Sequence, residues 1–360
     1  MEQLLLEPTQ DLSMRFNRIA VNTISEKNNN TRTVRYIAFT DWGNPENTQV
    51  VICAHGLTRN GRDFDYLAKA LQDQFRVICI DIVGRGQSDW LTNAEEYNQP
   101  AIYLSDIKIL LTHILAQYQQ PIHLNWVGIS MGGLIGMILA GQDLPIPIKS
   151  IIMSDIGPRI PIDAILRFKR YVGEDPKFTD IDQLENYIRV ISAPFGELTK
   201  DQWRHLTLYS ACKYSEGVYG FRYDPRIAIN FHESFEHDID LWPFWDQLTI
   251  PALVLHGEKS DVLLPQIAEE MRIRGPRARI IKISNVGHAP LLVNEEQISH
   301  VKGFLLKQIK HIKWLFIIAV VFYLLASTLV QLAPLLIQQT IDGPITDLSK
   351  GLPFDETVFL

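Results

Sequence analysis

The sequence predicts an α/β protein with a largely parallel sheet and helices on both of its faces. Two observations support this fold class. Short apolar runs recur along the chain, and each is followed by turn residues and then by a helical pattern, as in strands joined by crossover helices. Several runs, such as 49–54 (QVVICA), show no alternation of apolar and polar residues, which indicates strands buried on both faces.

The predicted elements can be placed in chain order. Two opening strands are expected at 15–21 and 33–40, separated by the polar stretch 26–32. Six buried strands are expected to follow, at 49–54, 75–82, 122–129, 148–154, 251–256 and 278–283. Helices are expected between these strands, at about 61–72, 101–119 and 131–141.

The regular alternation stops after Pro158. From 159 to about 248 the sequence predicts amphipathic helices, many aromatic residues and no buried strand. An insertion of this size between two strands is expected to fold as a helical cap over one end of the sheet. Its aromatic residues are interpreted as packing residues, because large rings are more often buried in cores than used as binding surfaces.

Composition argues against several classes of protein. The formal net charge of −7 does not suit nucleic-acid binding, which needs a basic face to neutralise phosphates. Cys53, Cys79 and Cys212 are too scattered for a disulfide framework, and they form no cluster with histidines. We therefore predict no metal and a reduced, cytoplasmic compartment. The first residues lack the basic and apolar segments of a secretory signal.

A second change of composition follows Leu306. Residues 314–337 contain no charged side chain, and as a helix they would cross the ~30 Å hydrocarbon core of a bilayer. Lysines precede this stretch and acidic residues follow it, which places the preceding domain on the cytoplasmic side. The sequence thus predicts a domain at 1–306 and a membrane-spanning tail at 307–360. The alternatives are a hydrophobic helix packed on that domain and a remnant of gene fusion.

The pentapeptide 128–132 (GISMG) contains the candidate nucleophile, Ser130. It follows a predicted strand and opens a predicted helix. Flanking glycines allow the strand to turn sharply into the helix, so that the hydroxyl projects from a strained turn. A serine hydroxyl is a poor nucleophile until a base takes its proton and hydrogen-bond donors hold the developing oxyanion. The chain should therefore supply both.

Backbone N–H groups are the predicted oxyanion donors. The segment His55-Gly56-Leu57 leaves the strand at 49–54 close to the predicted nucleophile. We expect the N–H groups of Leu57 and Met131 to form the oxyanion hole. His55 is interpreted as a structural residue that shapes this loop rather than as a catalytic group.

The predicted base is His288, on the loop that follows the strand at 278–283. Gly287 permits a tight turn just before the imidazole. His256 is the main rival, but it ends a strand and is interpreted as shaping the next loop.

The carboxylate that orients the base is expected between serine and histidine in chain order. Asp261, just past the strand at 251–256, is the predicted acid. Asp155, just past the strand at 148–154, is the alternative. The preferred triad is Ser130, Asp261 and His288.

Residues 14–306 resemble the α/β-hydrolase superfamily, in its capped esterase and lactonase-like group. The resemblance implies an α/β-hydrolase fold and the triad given above, with no cofactor or metal. Serine at 130 is unlike epoxide hydrolases and haloalkane dehalogenases, which are expected to have aspartate there. Five segments carry the resemblance, in the expected order: His55-Gly56, 81–88 (DIVGRGQS), 128–132 (GISMG), 256–261 (HGEKSD) and Gly287-His288.

The tail resembles a different family. Residues 307–314, the apolar stretch after them and 339–344 (QTIDGP) resemble the opening of an ABC-exporter membrane domain, including its first spanning helix.

Together these features predict a serine hydrolase that cleaves a carboxylic ester or lactone of a small-molecule acyl substrate through an acyl-enzyme. Two alternatives stay open. One is hydrolysis of a carbon–carbon bond in a β-diketone-like compound by the same triad. The other is a non-catalytic, membrane-tethered binding protein that kept the fold.

Overall fold

The computed structural model describes the backbone of residues 13–25, 31–231 and 235–349. Within these ranges, the side chains left undescribed are those of 23–25, 31–33, 310–317, 319, 333 and 335–349. The chain divides into two compact units, Met1–Phe304 and Leu305–Leu360. The candidate site lies in the first unit.

The described part of the chain forms strands, α-helices and short 3-10 helices. The strands are β1 (Met14–Ser25), β2 (Thr31–Trp42), β3 (Gln49–Ala54), β4 (Arg76–Ile80), β5 (His123–Ile129), β6 (Ile148–Ser154), β7 (Arg159–Ile160), β8 (Ala211–Ser215), β9 (Val218–Phe221), β10 (Ile239–Asp240), β11 (Ala252–Gly257) and β12 (Arg279–Ile283). The α-helices are α1 (Asp65–Leu71), α2 (Pro100–Leu115), α3 (Met131–Ala140), α4 (Ile162–Lys169), α5 (Ile181–Ile191), α6 (Lys200–Ser210), α7 (Trp242–Asp246), α8 (Pro265–Ile273) and α9 (Glu295–Ser349). The 3-10 helices are Gly61–Phe64, Ala94–Asn98, Ala193–Phe195 and Pro225–Phe231.

Eight strands form one sheet in the order β1-β2-β4-β3-β5-β6-β11-β12. The pairs from β4 through to β12 are parallel, whereas β1 and β2 join by antiparallel pairing. This confirms the predicted α/β class with a mostly parallel sheet. Strands β3 and β6 have the predicted bounds, while β1 and β2 are longer than predicted because they pair with each other over their full lengths.

The centre of the sheet is the core of the first unit. In β3 every residue from Val50 to Ala54 is fully buried, and β4 and β11 are buried along their whole lengths. Cys53 and Cys79 are free thiols and register partners on β3 and β4, and Cys212 is also free and buried. The carboxyl ends of the parallel strands meet at one edge of the sheet, where ligands bind in open α/β folds.

The segment between β6 and β11 forms the cap. It contains helices α4 to α7, as predicted, but also two small antiparallel sheets, β7 with β10 and β8 with β9. The expectation of helices alone was therefore incomplete. These strands have two to five residues, which is too short for a periodic pattern to identify them. Trp203, Trp242 and Trp245 are buried in the cap, in agreement with a packing role.

The predicted membrane-spanning helix at 314–337 is not supported. This stretch is helical as part of α9, but in the described portion of the chain no helix is long and apolar enough to cross a membrane. The described side chains of this stretch are those of Ile318, residues 320–332 and Pro334. The rest of the stretch lies outside the described side chains. The cytoplasmic location stays a prediction.

Candidate active site

Ser130 lies at the turn between β5 and α3, with φ 50° and ψ −117°. A positive φ is uncommon for a residue with a side chain, so neighbouring contacts must hold this conformation. The Ser130 N–H donates to the carbonyl of Ser154 at 3.0 Å, which ties the turn to β6. The Ser130 carbonyl accepts the N–H of Gly133 at 2.8 Å and starts α3.

The flanking glycines are required by close backbone packing. A Cβ on Gly132 would overlap the carbonyl oxygen of Ala54 in β3, and a Cβ on Gly128 would overlap the backbone of Gly132. The helix can therefore start directly against the sheet only without side chains at these positions. This explains locally why the pentapeptide folds as a sharp strand-to-helix turn.

His288 bridges the serine and a carboxylate. Its Nε2 lies 2.9 Å from the hydroxyl oxygen of Ser130, and its Nδ1 lies 2.9 Å from Oδ2 of Asp155. A carboxylate accepts hydrogen bonds, so a neutral imidazole carries its proton on Nδ1 and leaves Nε2 free to accept the serine proton. The ring of Phe168, from the cap, packs on the imidazole with centroids 5.9 Å apart.

Asp155 is the carboxylate of this chain of hydrogen bonds. It follows β6 directly and is fully buried. Oδ1 accepts the N–H of Gly257 at 2.7 Å, and Oδ2 accepts the hydroxyl of Ser260 at 2.5 Å as well as His288 Nδ1–H. A buried carboxylate needs such donors to offset its lost hydration.

Asp261, the acid preferred from the sequence, lies elsewhere, and this corrects the prediction. Its side chain is 53% exposed and pairs with Arg167 of the cap, with Arg167 Nε 2.5 Å from Oδ2. Asp261 follows β11 only after a three-residue loop, whose last residue, Ser260, donates its hydroxyl to Asp155. Asp155, the alternative acid, directly follows β6, and β6 pairs with β5, the strand that Ser130 directly follows.

The predicted oxyanion donors lie beside Ser130. Leu57 and Met131 line the same cavity as Ser130, and neither N–H has a hydrogen-bond partner among the described residues. A Cβ built on Gly56 would lie 3.7 Å from the Cβ of Ser130, which shows how closely this loop approaches the nucleophile. Both N–H groups are thus available to a bound oxygen.

His55 holds the loop that carries Leu57. Its Nε2 accepts the N–H of Ile82 at 3.0 Å, so Nδ1 carries the proton and donates to the carbonyl of Gly56 at 2.7 Å. That carbonyl belongs to the same peptide group as the Leu57 N–H, so the bond fixes the direction of this N–H. Complete burial lowers the pKa of His55 to about 3, which keeps the ring neutral. The structural interpretation of His55 agrees with these contacts.

Arg85 and Ser260 were missed as individual residues in the sequence. Arg85 is fully buried and donates from Nε to the carbonyl of Leu57 at 2.9 Å, a second tie on the same loop. Both residues lie within segments that carry the family resemblance, 81–88 and 256–261. The resemblance of these two segments indicated that they belong to the site. It did not predict the hydrogen bonds that Arg85 and Ser260 make there.

A cavity of about 410 Å³ lies over Ser130 and His288, between the core and the cap. Most lining side chains are apolar, and rings from the cap, such as Phe168, Phe221 and Tyr223, form part of the wall. This volume lies in the range of small-molecule sites. The described part of the chain contains no cluster of three or more His, Cys, Asp or Glu residues that could hold a metal ion.

Comparison with known proteins agrees with this geometry. A profile described as alpha/beta hydrolase fold matches residues 49–295. A 3-hydroxybutyrate-oligomer hydrolase from Cupriavidus necator is 38% identical over 271 residues, which cover 73% of this chain and 90% of that protein. A pimeloyl-[acyl-carrier protein] methyl ester esterase from Neisseria meningitidis is 22% identical over 269 residues, covering 70% of this chain and 90% of that protein.

A solved structure supports the same assignment. An alpha/beta hydrolase from Novosphingobium aromaticivorans superposes with a TM-score of 0.68 at 30% identity, covering 81% of this chain and 98% of that one. These relatives do not support the resemblance of the tail to an exporter membrane domain. They confirm the predicted enzyme class, a hydrolase acting on ester bonds. The chain belongs to the alpha/beta hydrolase fold family.

Proposed function

We propose that this protein hydrolyses carboxylic esters of short hydroxy acids through an acyl-enzyme, with Ser130 as nucleophile, His288 as base and Asp155 as orienting acid. The hydrogen-bond chain from Ser130 through His288 to Asp155, at the base of an apolar cavity, carries the proposal. The same three roles define serine hydrolases on unrelated folds.

In the first half-reaction, the Ser130 oxygen attacks the ester carbonyl while His288 Nε2 accepts the serine proton. The N–H groups of Leu57 and Met131 bind the oxyanion, which is typically the largest stabilising effect in such sites. Collapse of the tetrahedral intermediate breaks the ester bond, and His288 gives its proton to the leaving alcohol oxygen. Asp155 stabilises the transient imidazolium and keeps the ring oriented.

In the second half-reaction, water attacks the acyl-enzyme with His288 again as base. The tetrahedral intermediate collapses to release the acid, and the proton returns to the Ser130 oxygen. No further group is needed to balance the reaction.

The substrate class rests on two observations. The cavity is mostly apolar and of a size that suits a short acyl chain with a short alcohol. The relative from Cupriavidus necator is named for hydrolysis of 3-hydroxybutyrate oligomers. Oligomers of short hydroxy acids are therefore the proposed substrates.

The proposal is tested by comparing wild type with Ser130→Ala on p-nitrophenyl butyrate and on the linear dimer of 3-hydroxybutyrate. We expect kcat to fall by about 10⁴-fold or more, because members of a triad act as one unit. A fluorophosphonate probe should label wild type and Ser192→Ala but not Ser130→Ala. Ser192 is the matched control, since it is a second serine that lines the cavity.

Three results would overturn the proposal. More than about a tenth of wild-type turnover in Ser130→Ala would remove Ser130 as the nucleophile. Absence of labelling in wild type would favour a non-catalytic binding protein, and cleavage of a β-diketone without cleavage of any ester would favour carbon–carbon hydrolysis.

A further inference from the structure

Arg167 is a cation in the cavity wall that acyl transfer does not use. It lies on α4 of the cap and lines the cavity together with Ser130 and His288. Its counter-ion is Asp261, with Nη2 3.0 Å from Oδ1 and Nε 2.5 Å from Oδ2. Asp261 lies outside the described cavity wall, and its carboxylate is about half exposed to water. The charge of Arg167 is therefore balanced by a group that remains solvated.

The other charged residues of the wall differ from Arg167 in how far they or their partners are exposed to water. Arg59 donates from Nε and Nη2 to both oxygens of Asp63, at 2.7 and 2.6 Å, and Asp63 is buried. Arg167 makes the same fork-to-carboxylate contact with Asp261, but the Asp63 side chain is 3% exposed and the Asp261 side chain 53% exposed, so the Arg59 pair is desolvated and the Arg167 pair is screened by water. Glu174 is exposed, so water screens its charge. Among the charged residues described in the wall, Arg167 is the cation best placed to take a new anionic partner.

The position of Arg167 relates it to the leaving group. Its guanidinium carbon lies 4.7 Å from the centre of the Phe168 ring, and the same ring packs on His288. His288 must protonate the leaving alcohol oxygen, so the alcohol half of an ester departs on the His288 side. Arg167 is thus one aromatic ring away from the place where that half is released.

We propose that Arg167 binds a carboxylate on the alcohol half of the substrate, so that the site prefers esters whose leaving alcohol is itself a hydroxy-acid anion. This inference rests on the proposed ester hydrolysis and narrows its substrate class. In a linear hydroxy-acid dimer, the alcohol half carries the free carboxylate. The guanidinium has five N–H donors, so it can take a substrate carboxylate while it keeps or exchanges Asp261.

The test compares two dimers that share one scissile ester. One is the linear dimer of 3-hydroxybutyrate with its free carboxylate, and the other is the same dimer as its primary amide. Wild type should prefer the acid. Arg167→Gln should lower the acid-to-amide ratio of kcat/KM by about 10- to 100-fold, the range for a lost charge-assisted hydrogen bond. The loss should appear mainly in KM, because the carboxylate is bound in both ground state and transition state.

Two further variants separate recognition from a structural role. Asp261→Asn removes the counter-ion, so the acid-to-amide ratio should stay the same or rise. Lys169→Gln removes an exposed cation from the same helix, outside the described cavity wall, and should not change the ratio. If the Arg167–Asp261 pair only joins cap to core, Arg167→Gln and Asp261→Asn will lower turnover of both dimers alike. That result would overturn the inference.

The remaining outcomes distinguish this inference from the proposed function. Equal kcat/KM of wild type for acid and amide would overturn carboxylate recognition and leave ester hydrolysis standing. If wild type cleaved p-nitrophenyl butyrate but neither dimer, carboxylate recognition would again be overturned, while ester hydrolysis would stand. If the wild-type protein hydrolysed no ester at all, both the proposed function and the carboxylate recognition would be overturned.

Discussion

The carboxyl ends of β6 and β11 are neighbours in the sheet, and an aspartate follows each of them. Asp155 comes directly after β6, is fully buried and contacts His288. Asp261 lies a short loop beyond β11, is half exposed and pairs with Arg167. A strand thus brings its aspartate to the correct edge of the sheet, but the local backbone decides which side chain turns inward.

The loop after β11 still contributes to the site through another residue. Ser260 donates its hydroxyl to Asp155 Oδ2 and accepts the N–H groups of Val262 and Leu263 at 3.1 and 3.0 Å. The β11 loop therefore donates a hydrogen bond to Asp155, the proposed acid, which follows β6. The next residue, Asp261, pairs with Arg167 of the cap.

The largest expected effect is the contrast between the two aspartates. Asp155→Asn should lower kcat by roughly 10³- to 10⁴-fold, because an amide cannot hold His288 in the required tautomer. Asp261→Asn should change kcat on the neutral p-nitrophenyl butyrate by no more than about threefold. Steady-state kinetics of both variants, with circular dichroism to show that each is folded, makes the comparison.

The reverse result would contradict the assignment of Asp155 as the acid. A large loss in Asp261→Asn with a small one in Asp155→Asn would mean that the acid of the working enzyme comes from the β11 loop.

His55 directly follows β3, so it is a third polar residue at the carboxyl end of a strand and can be compared with Asp155 and Asp261. Its pKa is lowered from 6.5 to about 3 by burial, so the folded protein excludes a proton that the unfolded chain accepts. The stabilisation is complete above about pH 6.5 and is lost as the pH falls toward 3. Between pH 7 and pH 5 the loss should be about 2 kcal/mol.

Urea unfolding of wild type and His55→Asn at pH 7 and pH 5 tests whether His55 makes the free energy of unfolding fall as the pH is lowered. The variant should be less stable at pH 7, but its stability should fall less on acidification. Burial raises the pKa of Asp81 to about 6, which has the opposite effect on stability in this window, and both proteins share it. Parallel pH curves would show that His55 is not a buried neutral ring.

The smallest expected effect sharpens the role of Ser260. Ser260→Ala removes one donor to Asp155 and should lower kcat by about tenfold, as expected for a hydrogen bond to a charged group. Lys259→Ala is the control from the same loop, because Lys259 is exposed and its side chain does not contact Asp155. Equal kcat in the two variants would mean that Asp155 does not depend on the β11 loop.

Much of the architecture could be predicted from the sequence. The nearly continuous apolar run identified β3 with its bounds, because a strand buried on both faces leaves few polar positions. The bounds of β6 were also predicted, although this strand contains an exposed Lys149. The glycines around Ser130 predicted the strand-to-helix turn, since that turn has no room for side chains at either position. The short strands of the cap were missed, because a few residues cannot show a period.

By itself, the sequence determined the fold class, the turn that carries Ser130 and the loop that carries His288, because these depend on local patterns and chain order. Only the tertiary structure decided between Asp155 and Asp261. Both follow strands and both precede the histidine, so spacing fits either one. The decision comes from which carboxylate meets the N–H of Gly257, the hydroxyl of Ser260 and His288 in a buried place. Gly257 ends β11, Ser260 lies in the loop after it and His288 lies in the loop after β12, and only the packed sheet brings these three donors together.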